Sequence, residues 1–81
     1  MQLLKQTKFL NYTEIDNTGK TKIVGVGNNQ GHKLGVIKWY ASWRKYCFSP
    51  FPATTFDMTC LNDITLFIKE LMDERKPVKS E

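Results

Sequence analysis

Long apolar runs are missing from this sequence: nowhere do hydrophobic residues continue for the roughly 20 positions that a membrane-spanning helix requires. The opening Met1-Gln2-Leu3-Leu4-Lys5-Gln6 is too short and too polar for a signal peptide, so a cytoplasmic location is expected. Cysteine occurs twice and histidine once. Cys47 and Cys60 are too few and too scattered for a disulfide framework or a metal knot, and His32 is the sole histidine. Both cysteines are expected as small buried thiols. Length is limited as well: 81 residues suit one domain. A fold of that size buries roughly 60% of the surface its unfolded chain exposes.

What is present is a concentration of rings. Six of the ten aromatic residues, Trp39, Tyr40, Trp43, Tyr46, Phe48 and Phe51, fall within thirteen positions, interleaved with Lys38, Arg44 and Lys45. Rings contribute more burial per residue than any other side chain, so in a chain this short they either build the core or form an adhesive surface. Hydrophobic residues make up 41% and charged residues 25%, an ordinary globular balance. The net charge of +4 is unevenly divided: residues 1–56 carry eight Lys or Arg against Glu14 and Asp16, whereas residues 57–81 carry four against six acids. A positive field of this kind attracts nucleic acid, acidic proteins or anionic membranes without choosing among them.

The pattern predicts an α+β fold, a four-stranded antiparallel meander with one C-terminal helix packed on one face. Lys8–Ile15 reads as a first strand and Thr21–Val26 as a second, joined by the turn chemistry of Asp16-Asn17-Thr18-Gly19-Lys20. Gly27–His32 makes the next reversal. Leu34–Tyr40, β-branched and aromatic, is the third strand, Ala41–Arg44 turns it, and Tyr46-Cys47-Phe48 is the fourth. Pro50 and Pro52, which cannot donate to a ladder, end the sheet.

A helix of about 15 to 18 residues should then start near Asp57 or Thr59, either of which can cap its free amides. Leu61, Ile64, Phe67, Ile68 and Leu71 form its apolar stripe. Asp63 near its start, and Arg75 with Lys76 near its end, suit the helix dipole. Pro77 stops it, giving one domain over 1–76 and a flexible tail over 77–81.

One helix covers one face of such a sheet. Strand parity places Ile37 and Trp39 on one side of the third strand and Val36, Lys38 and Tyr40 on the other. The first pair should meet the helix. The opposite face is then expected to show Lys38 and Tyr40 with Val24, Val26 and Lys22, unless the N-terminal segment folds across it.

Three motifs need weighing. Trp43-Arg44-Lys45-Tyr46 spells the signature of the WRKY transcription factors, but Cys47-Phe48-Ser49 follows it and the zinc ligands of that family are missing. Gly25-Val26-Gly27 with Gly31 is an incomplete dinucleotide loop that no helix follows, and reads as strand end and turn. Nucleophilic catalysis by Cys47 or Cys60 would need His32 as its base, and His32 sits in a Gly-rich turn. No enzyme, cofactor, metal or small-molecule substrate is indicated.

The basic, ring-rich segment is the serious candidate. Lys38, Tyr40, Trp43, Arg44, Lys45 and Tyr46 could stack bases and follow phosphates, or serve as a protein hot spot. Alternatively, Trp39, Phe48 and Phe51 are core and Trp43 closes its turn by stacking on Arg44.

The run from Leu34 to Phe48, with Pro50, Phe56 and Cys60-Leu61-Asn62-Asp63-Ile64 after it, resembles a compact domain of small bacterial and phage-borne proteins over residues 33–71. That pattern comprises a Leu-Gly strand, a Trp-Tyr-x-x-Trp-Arg hairpin and a helix entered through Cys-Leu. The resemblance implies context: a bacterial or phage accessory protein acting on a host component. The expected function is protein binding or self-association through the exposed sheet face and hairpin, with nucleic-acid binding as the alternative.

Overall fold

The computed structural model describes residues 2–75. Five strands, β1 (Gln2–Gln6), β2 (Leu10–Asn17), β3 (Lys22–Asn28), β4 (Lys33–Tyr40) and β5 (Lys45–Pro50), precede one helix, α1 (Met58–Arg75). Each strand pairs antiparallel with its neighbour in sequence, so the sheet order is β1-β2-β3-β4-β5. The α+β class, the antiparallel meander and the C-terminal helix match expectation. The strand count does not: there are five strands, because Gln2–Gln6 forms an edge strand beside β2 and leaves the sheet face uncovered.

The hairpin that adds β1 turns without glycine, proline or asparagine. The backbone amide of Thr7 donates to the Leu10 carbonyl at 2.8 Å, and the Thr7 hydroxyl accepts from the amides of Phe9 and Leu10 at 3.2 and 3.1 Å. The later turns use the expected residues. Gly19 and Gly31 adopt φ of +92° and +95°, a region open to glycine at no steric cost. The Asn17 side chain accepts from the Gly19 amide at 2.8 Å, and that of Asn28 from the amides of Gln30 and His32 at 2.9 and 3.0 Å.

α1 begins where a carboxylate can cap it. Asp57 accepts from the Cys60 amide at 2.9 Å, and this bond draws its carboxyl below the usual range. The stop at Pro77, the charges beyond Arg75 and the expected tail lie outside the described residues.

Ile64, Phe67 and Leu71 of the predicted stripe are buried, as are Leu10, Tyr12, Val24, Val26, Ile37 and Tyr46 beneath them. Each large apolar side chain so buried contributes about 1.5–3 kcal/mol. Phe67 lies flat on Tyr12, ring centroids 4.1 Å apart and planes 10° from parallel. Ile37 is fully buried, and Trp39 packs partly buried against the core with its ring edge-on to Tyr46. Leu61 departs from the stripe and remains 47% exposed.

Val24, Val26 and Lys22 are on the helix side, contrary to expectation. Val24 pairs directly with Ile37, and opposed residues share a face. Lys22 reaches Glu74 of the helix at 2.9 Å.

At the β5 edge the Tyr46 amide donates to the Met72 sulfur at 3.3 Å, so the helix shields that edge. Gly35 is fixed by close approach: a Cβ there would meet the Ser49 carbonyl oxygen at 2.4 Å.

Candidate functional site

Among the described residues, no element covers the sheet face opposite α1. Antiparallel register sorts its side chains into rows. Thr13, Gly25, Val36 and Ser49 lie across the middle. Asn11, Gly27 and Lys33 form the row toward one end. Toward the other end, Lys38 pairs with Cys47 and then Tyr40 with Lys45.

Beyond Tyr40 the β4–β5 hairpin closes tightly. The Tyr40 carbonyl accepts from the amides of Trp43 and Arg44 at 3.1 and 2.8 Å, and Arg44 takes the uncommon left-handed φ of 55°. This geometry brings Tyr40 and Trp43 together, centroids 4.8 Å apart at 61°, while leaving them 46% and 63% exposed. Trp43 therefore contacts Tyr40 where stacking on Arg44 was one expectation. Lys38, Arg44 and Lys45 are exposed around the ring pair.

Five of the six candidates, Lys38, Tyr40, Trp43, Arg44 and Lys45, thus share one end of the open face and its hairpin. Tyr46 does not. It faces the helix, 5% exposed, and its hydroxyl accepts from the Lys22 amide at 3.1 Å. Alternation forces this outcome, since Lys45 opposite Tyr40 commits the next residue to the other side. Phe51, one expected core ring, is 39% exposed at the opposite end of the open face.

Sequence reasoning missed an open depression of about 220 Å³ along β3. Gly25 and Gly27 floor it, with Asn11, Thr13 and Ile15 on one side and Val36, Lys33 and Phe51 on the other. A Cβ at Gly25 would come within 3.0 Å of the Ile15 methyl, and one at Gly27 within 3.1 Å of the Asn11 side-chain oxygen. Two glycines at i and i+2 of a strand were the available signal, since they remove successive side chains from one face. His32 also lines the depression, but Cys47 does not, so this depression does not join the two. Both cysteines are partly exposed thiols where buried ones were expected, Cys47 on the open face and Cys60 on the first turn of α1. Burial, together with the Asp57 carboxylate, raises the Cys60 thiol above its usual range. Among the described residues, no group of three His, Cys, Asp or Glu comes together as a metal site.

Charge is segregated between the layers. Asp57, Asp63, Glu70, Asp73 and Glu74 belong to α1 and its cap, whereas Lys33, Lys38 and Lys45 lie on the open face. Asp16, at one end of that face, turns its carboxylate onto the Asn17 amide at 2.8 Å. Between the layers, Tyr12 and Thr7 both donate to the same oxygen of Asp63, Thr7 at 3.0 Å. Burial first, then the bond to this carboxylate, pushes the Tyr12 hydroxyl far above the ordinary phenol range.

The candidate site is therefore the uncovered face of a small α+β meander. No family model and no solved structure matches the chain. An uncharacterised 9.3 kDa protein of Acholeplasma phage L2 is 39% identical over 75 residues, covering 90% of this chain and 96% of that relative. The chain belongs to the family of this small phage protein. No helix among the described residues is long and apolar enough to cross a membrane.

Proposed function

We propose that this protein is a non-enzymatic phage or bacterial accessory protein of the cytoplasm that binds another protein through its open sheet face and aromatic hairpin. The observation that carries this reading is the Tyr40–Trp43 pair, brought together by the hairpin turn yet largely exposed beside Lys38, Arg44 and Lys45. Trp, Tyr and Arg dominate interface energies, and the two rings bury large areas at low entropic cost. The Leu34-Gly35 strand and the Cys60-Leu61 helix start serve, in this reading, as the scaffold marks of the family.

The placing of Lys33, Lys38 and Lys45 on the open face favours a second reading, nucleic-acid binding. It ranks lower because the centre of the face holds Gly25, Thr13 and Val36 where a base-stacking platform would place rings. Salt separates the two. Engagement of four phosphates by Lys33, Lys38, Arg44 and Lys45 would weaken single-strand binding roughly 50-fold for a four-fold rise in salt. An interface centred on buried rings changes far less.

The test is capture of host-cell proteins by the intact chain beside Tyr40→Ala/Arg44→Ala, with gel shifts of single- and double-stranded DNA and RNA at two salt concentrations. A protein retained at high salt by the parent chain and lost by the folded variant is the expected result. A salt-sensitive nucleic-acid complex, or capture indifferent to the substitutions, would reject the protein-binding reading.

A further inference from the structure

The depression on β3 has a shape and a rim that select an occupant. Its floor is backbone, because Gly25 and Gly27 remove two successive side chains from the open face. Ile15, Val36 and Phe51 supply apolar walls, and at about 220 Å³ the space suits one large side chain. Its polar rim is cationic or neutral: Lys33 and His32 at one end, Asn11 and Thr13 along one wall, and Lys38 one row beyond Val36.

Other occupants fit poorly. A second copy stacked face to face would bring Lys33, Lys38 and Lys45 against their own kind, and like charges across an interface cost several kcal/mol. Addition at the free edge is opposed by β1 itself, which is only five residues long and carries a register shift between Leu3 and Lys5. A nucleobase has no ring within the depression to sandwich it, Phe51 standing only at its wall.

Building on the protein-binding reading above, we infer that the Gly25–Gly27 trough is an anchor pocket for a bulky apolar or aromatic side chain carried by an acidic peptide segment of the partner. The anchor fills the space above the two glycines against Ile15, Val36 and Phe51. Flanking carboxylates meet Lys33 on one side and Lys38 on the other.

The probe is the acidic pentapeptide Glu-Asp-Phe-Glu-Asp, titrated into the isotopically labelled full chain while amide shifts are followed. Its counterpart with alanine at the centre, its Lys-Arg-Phe-Lys-Arg counterpart and a thymidine oligonucleotide are titrated in parallel. The expected result is a set of shifts centred on Gly25, Gly27, Lys33 and Val36 that requires both the phenylalanine and the acids. Gly25→Val places a β-branched side chain in the trough where the first atom met is the movable end of Ile15. It should keep the fold and weaken the peptide at least about ten-fold, the equivalent of 1.4 kcal/mol. Should that variant fail to fold, Lys33→Glu, at an exposed position, should weaken the acidic peptide and leave the parent amide pattern otherwise intact.

Equal binding of the alanine peptide, shifts confined to Tyr40–Lys45, or no binding would overturn the trough while leaving hairpin-mediated protein binding standing. Shifts at the trough produced by the oligonucleotide and not by the peptide would overturn both.

Discussion

Tyr12 joins the two layers in two ways, lying flat under Phe67 of the helix and donating from its hydroxyl to Asp63. Removal of that hydroxyl leaves the carboxylate with Thr7 as its remaining protein donor in this cluster. Tyr12→Phe should destabilise the fold by about 2 kcal/mol, the usual range for a hydrogen bond to a charged acceptor, measured by denaturant unfolding at neutral pH. The hydroxyl also sets an alkaline limit. Its proton is held far more tightly in the folded chain than in the unfolded one, so its stabilisation is complete below the ordinary tyrosine value of about 10 and is lost as pH rises beyond it. The parent chain should lose stability more steeply than Tyr12→Phe above that pH, and identical alkaline limbs would discount the role assigned to this group. None of this could be read from Tyr12 in isolation. Its aromatic, β-favouring character was legible, but the partner carboxylate is 51 residues away.

At the scale of elements, α1 depends locally on its first turn. The Asp57 carboxylate is ionised more readily in the fold than when free, so its contribution is present above the usual aspartate range and fades as pH falls through its folded value. Asp57→Ala should lower the melting temperature by roughly a few degrees and flatten the acid limb, while Asp57→Ser, which still accepts from the Cys60 amide, should recover most of the loss. A helix signal by circular dichroism that melts identically in all three would refute the capping role. This element was the most legible in the sequence, because cap and apolar spacing act within a few residues of one another, although Asp63 falls beyond the first turn of α1 and so is not the dipole charge expected there. The first hairpin was the least legible. Residues 7–10 turn on a threonine hydroxyl without any of the residues that usually punctuate a turn, so Lys8 read as the start of a strand and β1 went unseen. Leu3-Leu4 carried the only hint, and two adjacent apolar residues do not distinguish strand from helix.

Over the whole molecule, two layers of opposite charge give the chain a direction as well as a net charge. Lys38→Glu and Lys69→Glu alter net charge identically, one on the open face and one on the exposed side of α1. A polyanionic resin should release Lys38→Glu at distinctly lower salt than Lys69→Glu, since local field and not total charge governs the encounter. Coincident elution of the two variants would show that the charge segregation has no consequence for binding. The same segregation orients any acidic partner toward the hairpin and the trough and away from the helix.

From its residues alone the chain determined that it would be one α+β unit, with a meander of antiparallel strands, a helix capped near Asp57, and rings gathered between Trp39 and Phe51. Those features come from propensities and periodicities that act over three or four positions. Which rings face outward was decided by pairing register. Trp43 and Tyr40 stand exposed while Tyr46 is buried, Val24 and Val26 turn toward the helix, and Gly25 and Gly27 open a trough, because register fixes which residues oppose one another. A shift of one residue would reverse every face, and that choice is made by the summed packing of the sheet against α1, a tertiary quantity no short window of sequence contains.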